Sequence, residues 1–175
     1  MSNSTKPARI DDRLAIQDVL HSHCRGLDRN DGALIAASYW PDAEVDYGSF
    51  KGPASQFAEL IGPALGEAYE LTRHRISNTL IDFDGATARV ESYVEASHLF
   101  KGGASEMRFG GRYLDTLEQR GDEWCMLDRQ VVMDWSTTRE VTDERESEAF
   151  AALSKGSNDA SDPLHSFLRG GADHG

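Results

Sequence analysis

A chain of 175 residues is long enough for one domain with a substantial core and too short for two of ordinary size. Eighteen basic residues against thirty acidic ones leave a net charge of −12, which argues against a nucleic-acid groove or an anionic membrane surface, because phosphate recognition needs clustered Lys and Arg. Cys24 and Cys125 lie far apart without metal or redox spacing, no apolar run approaches the roughly 20 residues of a membrane span, and the polar first residues lack a signal peptide's apolar stretch. These features predict a soluble, reduced, cytoplasmic protein.

In chain order, residues 1–9 read as a flexible N-terminus, residues 10–136 as one α+β domain and residues 137–175 as a C-terminal tail. Leu14, Ile16, Val19, Leu20, Cys24 and Leu27 recur at three- and four-residue steps, which predicts a first helix over 10–29. A turn at 30–32 precedes a short helix over 33–40 that Pro41 stops. A brief strand over 44–50 and a turn at 51–53 lead to a third helix over 54–65, with Gly62-Pro63 as a kink or break. The period then changes. Residues 72–83, 88–100, 106–119 and 123–135 predict four antiparallel strands joined by Gly-containing turns. Helices followed by a meander define helices packed on one face of a curved sheet. In the tail, residues 139–148 suit a short helix, and an apolar knot at Pro163–Leu168 suits either disorder or a lid.

Residues two apart on a strand share a face, so polar residues on an apolar face stand out. Arg129 interrupts the set Cys125, Leu127, Val131, Met133 and Trp135. His74 and Asn78 interrupt the face that holds Ile76 and Leu80, and His98 the face that holds Val94, Ala96 and Phe100. The neighbouring strand offers Phe109, Gly111, Tyr113, Asp115 and Leu117. A buried polar group is costly unless partnered, so four strands each carrying one point to a polar-studded pocket on the concave face. Asp28 continues the stripe Leu20, Cys24, Leu27, and turned inward it would meet His74 or Arg129. An Asp–His pair is a general-base arrangement, in which the carboxylate orients the ring and stabilises its cation. Each residue also has a structural reading: Asp28 as a helix-end residue, His74 and His98 as satisfied histidines, Arg129 in an internal ion pair with Asp115 or Asp134, and Tyr47 as a strand aromatic. His21, His23, His165 and His174 read as surface residues.

The segments RGLDRND, YWPDAEVDYGSFKGP, ELTRHRISN, GGRYLDTLEQRGDEW and DRQVVMDW together resemble the SnoaL-like family of the nuclear-transport-factor-2-like superfamily, over about residues 10–136. The resemblance extends to its hexachlorocyclohexane dehydrochlorinases, scytalone dehydratases and bile-acid 7α-dehydratases. It implies a cone-shaped α+β barrel and a cofactor-free lyase with Asp28 and His74 as the catalytic pair. It further implies substrate contacts from Tyr47, His98 and Arg129, and the strand faces add Tyr113 and Asn78 to the expected lining. The chain departs from scytalone dehydratase at Leu27, where that enzyme has a tyrosine just before its aspartate. No metal is expected, since no H-x-x-x-H, H-E-x-x-H or Cys pair occurs, and no Gly-rich phosphate loop points to a nucleotide cofactor.

The expected activity is elimination from a small hydrophobic, cyclic or aromatic compound. The alternatives are an isomerase or cyclase using the same pair, or a non-catalytic small-molecule-binding module. The outer sheet face, with Tyr93, Leu114 and Val132 among Glu91, Glu95, Arg108 and Arg112, predicts a homo-oligomer, which the resemblance makes a trimer. Neither nucleic acid nor membrane is expected as a partner.

Overall fold

The computed structural model of the chain describes residues 9–170. The expectation of a flexible start therefore falls, apart from Arg9, outside the described residues, as does the placement of His174. Helix α1 (Ile10–Asp28) and helix α2 (Gly32–Ala37) lead to strands β1 (Tyr39–Asp46) and β2 (Lys51–Pro53), then helix α3 (Ala54–Ala68). Four long strands follow, β3 (Tyr69–Asp84), β4 (Thr87–Phe100), β5 (Ser105–Arg120) and β6 (Glu123–Glu140), and then a short helix α4 (Pro163–Leu168). The strands form one curved, unclosed sheet in the order β2-β1-β6-β5-β4-β3, antiparallel throughout except where β1 runs parallel to β6. No helix among the described residues is long and apolar enough to cross a membrane.

The helices lie on one face of this sheet because each carries one apolar stripe. In α1 the buried residues are Ile16, Leu20, His23, Cys24, Gly26 and Leu27, while Leu14 is exposed, so the stripe begins at Ile16 rather than at Leu14. Ile16, Leu20 and Leu27 join Ile35, Val45, Phe57, Val90, Leu117 and Met126 in the main core. Cys24 enters a second cluster with Val94 and Tyr113, against which Ile76, Phe109 and Val131 pack. Hairpins at Gly85 and Gly121 close the long strands, both with positive φ of 60° and 66°, a region glycine enters without penalty.

The boundaries differ from the expected ones in three places. Helix α2 ends at Ala37, and Trp40 and Pro41 belong to β1. Pro41 is tolerated there because the β1–β6 register shifts between Tyr39 and Glu44, so no ladder hydrogen bond is required of it. Helix α3 runs unbroken through Pro63 to Ala68, with Gly62 pressed on the Asn30 backbone. Beyond β6, the segment expected to be helical is instead strand to Glu140 followed by successive turns, closed by bonds from Ser147, Phe150 and Leu153 to the carbonyls three residues earlier.

Bulges account for the corrected faces. The β3–β4 register shifts between Ser77 and Leu80, where Asn78 takes a φ of 45°, so the inward set changes from His74 and Ile76 to Ile81 and Phe83. Asn78 and Leu80 are therefore exposed, Leu80 by 60%. In β6 a bulge after Met126 buries Trp124, Met126 and Arg129 in place of Cys125 and Leu127. A second, between Met133 and Trp135, turns Trp135 out over the buried Gly110, and Met133 and Trp135 are both exposed on the surface.

At the second β6 bulge the strands approach so closely that a Cβ on Gly111 would overlap the Val132 carbonyl oxygen. Gly111→Ala is expected to destabilise the fold by about 1–3 kcal/mol, the usual cost of overpacking, seen as a lowered urea midpoint with unchanged slope.

Candidate active site

The last turn of α1 delivers Asp28 to the edge strand β3. Its position follows from helical spacing, since Asp28 lies one turn after the buried Cys24. Oδ1 accepts the Nδ1–H of His74 at 2.7 Å. The His74 backbone N–H, on the free edge of the sheet, donates to both carboxylate oxygens at 3.0 and 3.1 Å, and Thr72 Oγ1 adds a bond of 3.3 Å. The proton on Nδ1 is thereby engaged, which leaves the Nε2 lone pair as the basic site of a side chain only 8% exposed. The expected Asp28–His74 pair is formed.

His98 stands beside it, its ring edge-on to His74 at 5.4 Å and tilted on Tyr69 at 4.7 Å. Burial, and secondarily the nearness of His74, hold its pKa down to about 4, so the ring is neutral at physiological pH. Its Nδ1 is buried without a hydrogen-bond partner.

A second polar cluster lies under the middle of α1. Arg129 and Asp115 form a bidentate pair, Nε to Oδ1 at 2.7 Å and Nη2 to Oδ2 at 2.8 Å, with both side chains 0% exposed. The guanidinium lies 4.0 Å over the Tyr113 ring, and Nη1 reaches toward Tyr47 Oη at 3.5 Å. Tyr47 is stacked on Phe57 at 4.1 Å and meets His23 Nε2 at 3.0 Å. Of the two readings of Arg129, the internal ion pair with Asp115 is the one formed. Its charge is compensated, so it is not a free cation.

His23 corrects the sequence reading, since it is wholly buried rather than on the surface. Its spacing carried the signal: it lies four residues before Leu27 and seven after Ile16, on the buried stripe of the helix. Asn78 is also corrected, because its bulge turns it away from the other predicted residues. Cys24 sits between the clusters, and burial pushes its thiol up to about 12, so it packs as a neutral group. Among the described residues, no group of three or more His, Cys, Asp or Glu side chains is arranged to hold a metal ion.

The polar groups are therefore drawn into two bonded clusters rather than spread along one open pocket, with Cys24, Val94 and Tyr113 and the neighbouring Ile76, Phe109 and Val131 supplying the apolar surroundings. A cleft of about 730 Å³ lies to the side of them. Asp28, Thr72 and Phe109 form part of its wall, and Trp135, Phe150 and Leu153 another part, whereas His74 does not reach it.

The model of the SnoaL-like domain family matches residues 8–130, and the chain belongs to that family. A solved structure of a protein named for scytalone dehydratase, from Novosphingobium aromaticivorans DSM 12444, is 25% identical and aligns with a TM-score of 0.68 over 75% of this chain and 90% of its own. The hexachlorocyclohexane dehydrochlorinase LinA-type3 from Novosphingobium barchaimii LL02 is 20% identical, with a TM-score of 0.65 over 75% of this chain and 92% of its own. At that identity the likeness establishes the shared fold. No functionally curated protein matches the sequence. The fold is thus the expected α+β cone, and its structural neighbours include proteins named as dehydratases and dehydrochlorinases.

Two outcomes follow from these buried charges. Removing one partner of a buried ion pair leaves an uncompensated charge, so Asp115→Ala is expected to cost about 3–5 kcal/mol in urea unfolding, and the paired change Asp115→Leu with Arg129→Met to recover much of it. His98 protonates near 4 when folded and near its ordinary 6.5 when unfolded. The unfolded chain binds the extra proton first as pH falls, so this contribution is whole above about 6.5 and is lost toward about 4. His98→Gln is expected to flatten that acid limb of the stability profile.

Proposed function

We propose that this protein is a cofactor-independent lyase that eliminates a leaving group from a small hydrophobic cyclic or aromatic compound. The observation that carries the reading is the 2.7 Å bond from His74 Nδ1 to Asp28, which leaves Nε2 without a partner among the described residues. In this mechanism Nε2 removes a proton from a carbon beside an activating group. The C–H electron pair becomes the new double bond, and the bond to the neighbouring leaving group breaks. Asp28 holds the ring and stabilises the imidazolium that forms, a role its formal charge suits because it faces no arginine in the way Asp115 does. Tyr47 and His98 act as neutral hydrogen-bond donors to substrate oxygen or to the departing group, and Tyr113 lines the apolar surroundings. Arg129 contributes through Tyr47 rather than by direct contact with an anion.

Two further features belong to this proposal. Asp143, Arg145, Phe150, Leu153 and Gly156 of the tail line the same cleft as Asp28, and Arg29 holds Asp162 at 3.5 Å, so the tail serves as a cover tied to the end of α1. Tyr93, exposed on the outer sheet face beside the Arg112–Glu91 and Arg112–Asp134 bridges, supports assembly through that face, and the family resemblance alone makes that assembly a trimer. The compartment we assign is the cytoplasm.

A panel of hydroxylated, halogenated and diaryl compounds, followed by ultraviolet change and by product mass, identifies a substrate and separates elimination from isomerisation, which conserves mass. On that substrate His74→Ala is expected to lower turnover by at least about 10²-fold, the low end of general-base catalysis. Asp28→Asn is expected to lower it too, because an amide keeps the shape of the contact without stabilising the cation. Near-normal turnover by His74→Ala would defeat the proposal.

A further inference from the structure

The cleft of about 730 Å³ is built largely on the outer face of the sheet, and most of its lining plays no part in the general-base pair. Alternation along β3 sends His74 inward and Arg73 and Arg75 outward. The register sets Arg73 beside Ser97 and then Arg108, and Arg75 beside Glu95 and then Gly110, over which Trp135 lies. The other side of the cleft comes from the tail, with Arg145, Phe150, Leu153 and Lys155. The SnoaL-like family model ends at residue 130, so this side lies beyond the region that the family shares.

Two features distinguish this lining from a solvated surface. The first is charge. In a chain of net charge −12, Arg108, Arg112, Arg120 and Arg139 of the same sheet each bond a carboxylate. The side chains of Arg73 and Arg75 have no ion pair or hydrogen bond among the described residues, even though Glu95 stands opposite Arg75 in the register. Lys155 is a third cation without a carboxylate partner. Its Nζ donates to the carbonyls of Phe150, Leu153 and Ala151 at 2.6, 2.8 and 3.3 Å, which fixes the turns that carry Phe150 and Leu153. The second feature is apolar exposure. Trp135, Phe150 and Leu153 are 50%, 43% and 63% exposed, and all three line this cleft. Apolar side chains that converge with unpaired cations in one concavity suit an amphipathic anion.

We propose that the cleft is a binding site, separate from the general-base pair, for a small compound with an apolar ring body and a single carboxylate. Arg73 and Arg75 lie two residues apart on one strand, about 7 Å between Cα atoms, and grip the carboxylate with charge-assisted hydrogen bonds. Trp135, Phe150 and Leu153 enclose the ring. The volume of about 730 Å³ falls in the range of small-molecule sites. Glu95 and Glu144 also line the cleft and repel a second negative charge, which favours a carboxylate over a phosphate ester. Binding here needs no turnover, so the site stands whether or not Asp28 and His74 catalyse elimination.

Isothermal titration calorimetry of the whole chain with naphthalene carboxylate tests it, with naphthalene methanol as the uncharged counterpart and acetate as the charge without the ring. The naphthalene carboxylate is expected to bind at least about tenfold more tightly than either counterpart, and to weaken as salt is raised. The double change Arg73→Gln with Arg75→Gln is expected to abolish the preference for the carboxylate over the alcohol. Both side chains are exposed and unbonded, so the fold is expected to persist, which circular dichroism checks. Arg89→Gln removes the same charge on the same face at the far end of the sheet, and is expected to change the affinity by less than about twofold. No binding of the naphthalene carboxylate, equal binding of the alcohol, or a preference indifferent to the Arg73 and Arg75 changes would overturn the proposal, and the first two need no variant. His74→Ala is expected to keep the affinity. A loss there would put the ligand at the general-base pair and sink the separate site, whereas the turnover of His74→Ala on a substrate tests the lyase reading by itself.

Discussion

The carboxylate of Asp28 ties the last turn of α1 to the outermost strand of the sheet. An edge strand presents backbone N–H groups that no neighbour satisfies, and the N–H of His74 is one of them. By taking that N–H together with the His74 ring and the Thr72 hydroxyl, Asp28 fixes the distance between helix and strand and the rotation of the imidazole at once. The main chain and the side chain of His74 are held by the same two oxygens. A ring held this way is oriented before any ligand arrives, which is the condition a general base needs.

The second cluster balances its charge internally. Arg129 and Asp115 are both buried and bonded twice, so the pair is formally neutral, and it tethers Tyr47 and Tyr113 rather than attracting an anion. Desolvating two charges is expensive, and a bidentate pair with a cation–π contact is a geometry that offsets the expense. The two clusters thus differ in kind. One holds a carboxylate met by hydrogen bonds and an imidazole, and the other a compensated pair that stiffens a neutral hydroxyl. His98, kept uncharged by burial beside His74, extends the first cluster without adding charge to it.

Three of the register shifts in the sheet, one in β3 and two in β6, decide where the side chains of those strands point. Each inserts a residue that exchanges the two faces of its strand from that point on. Asn78 is the inserted residue in β3, and it accounts for the exposure of Leu80 and the burial of Ile81 and Phe83 against the main core. The first bulge of β6 lets Met126 and Arg129, an odd number of residues apart, both face inward. Nothing in a period-two reading places those two together.

Local pattern in the sequence by itself determined the helix-then-meander order and the inner faces of β4 and β5, because these depend on spacing within one element, whereas the inward turn of Asp28 stayed one of two readings. The pairing of Asp28 with His74, and of Arg129 with Asp115 rather than Asp134, was legible only as one alternative among several. Tertiary structure decided between them, since it sets which strand end a helix terminus reaches. It also decided the removal of Asn78 from the site and the inclusion of Pro41 in a strand. Each of those depends on a bulge, a register shift or a neighbouring element, and such contacts between distant segments leave no periodic trace in either partner.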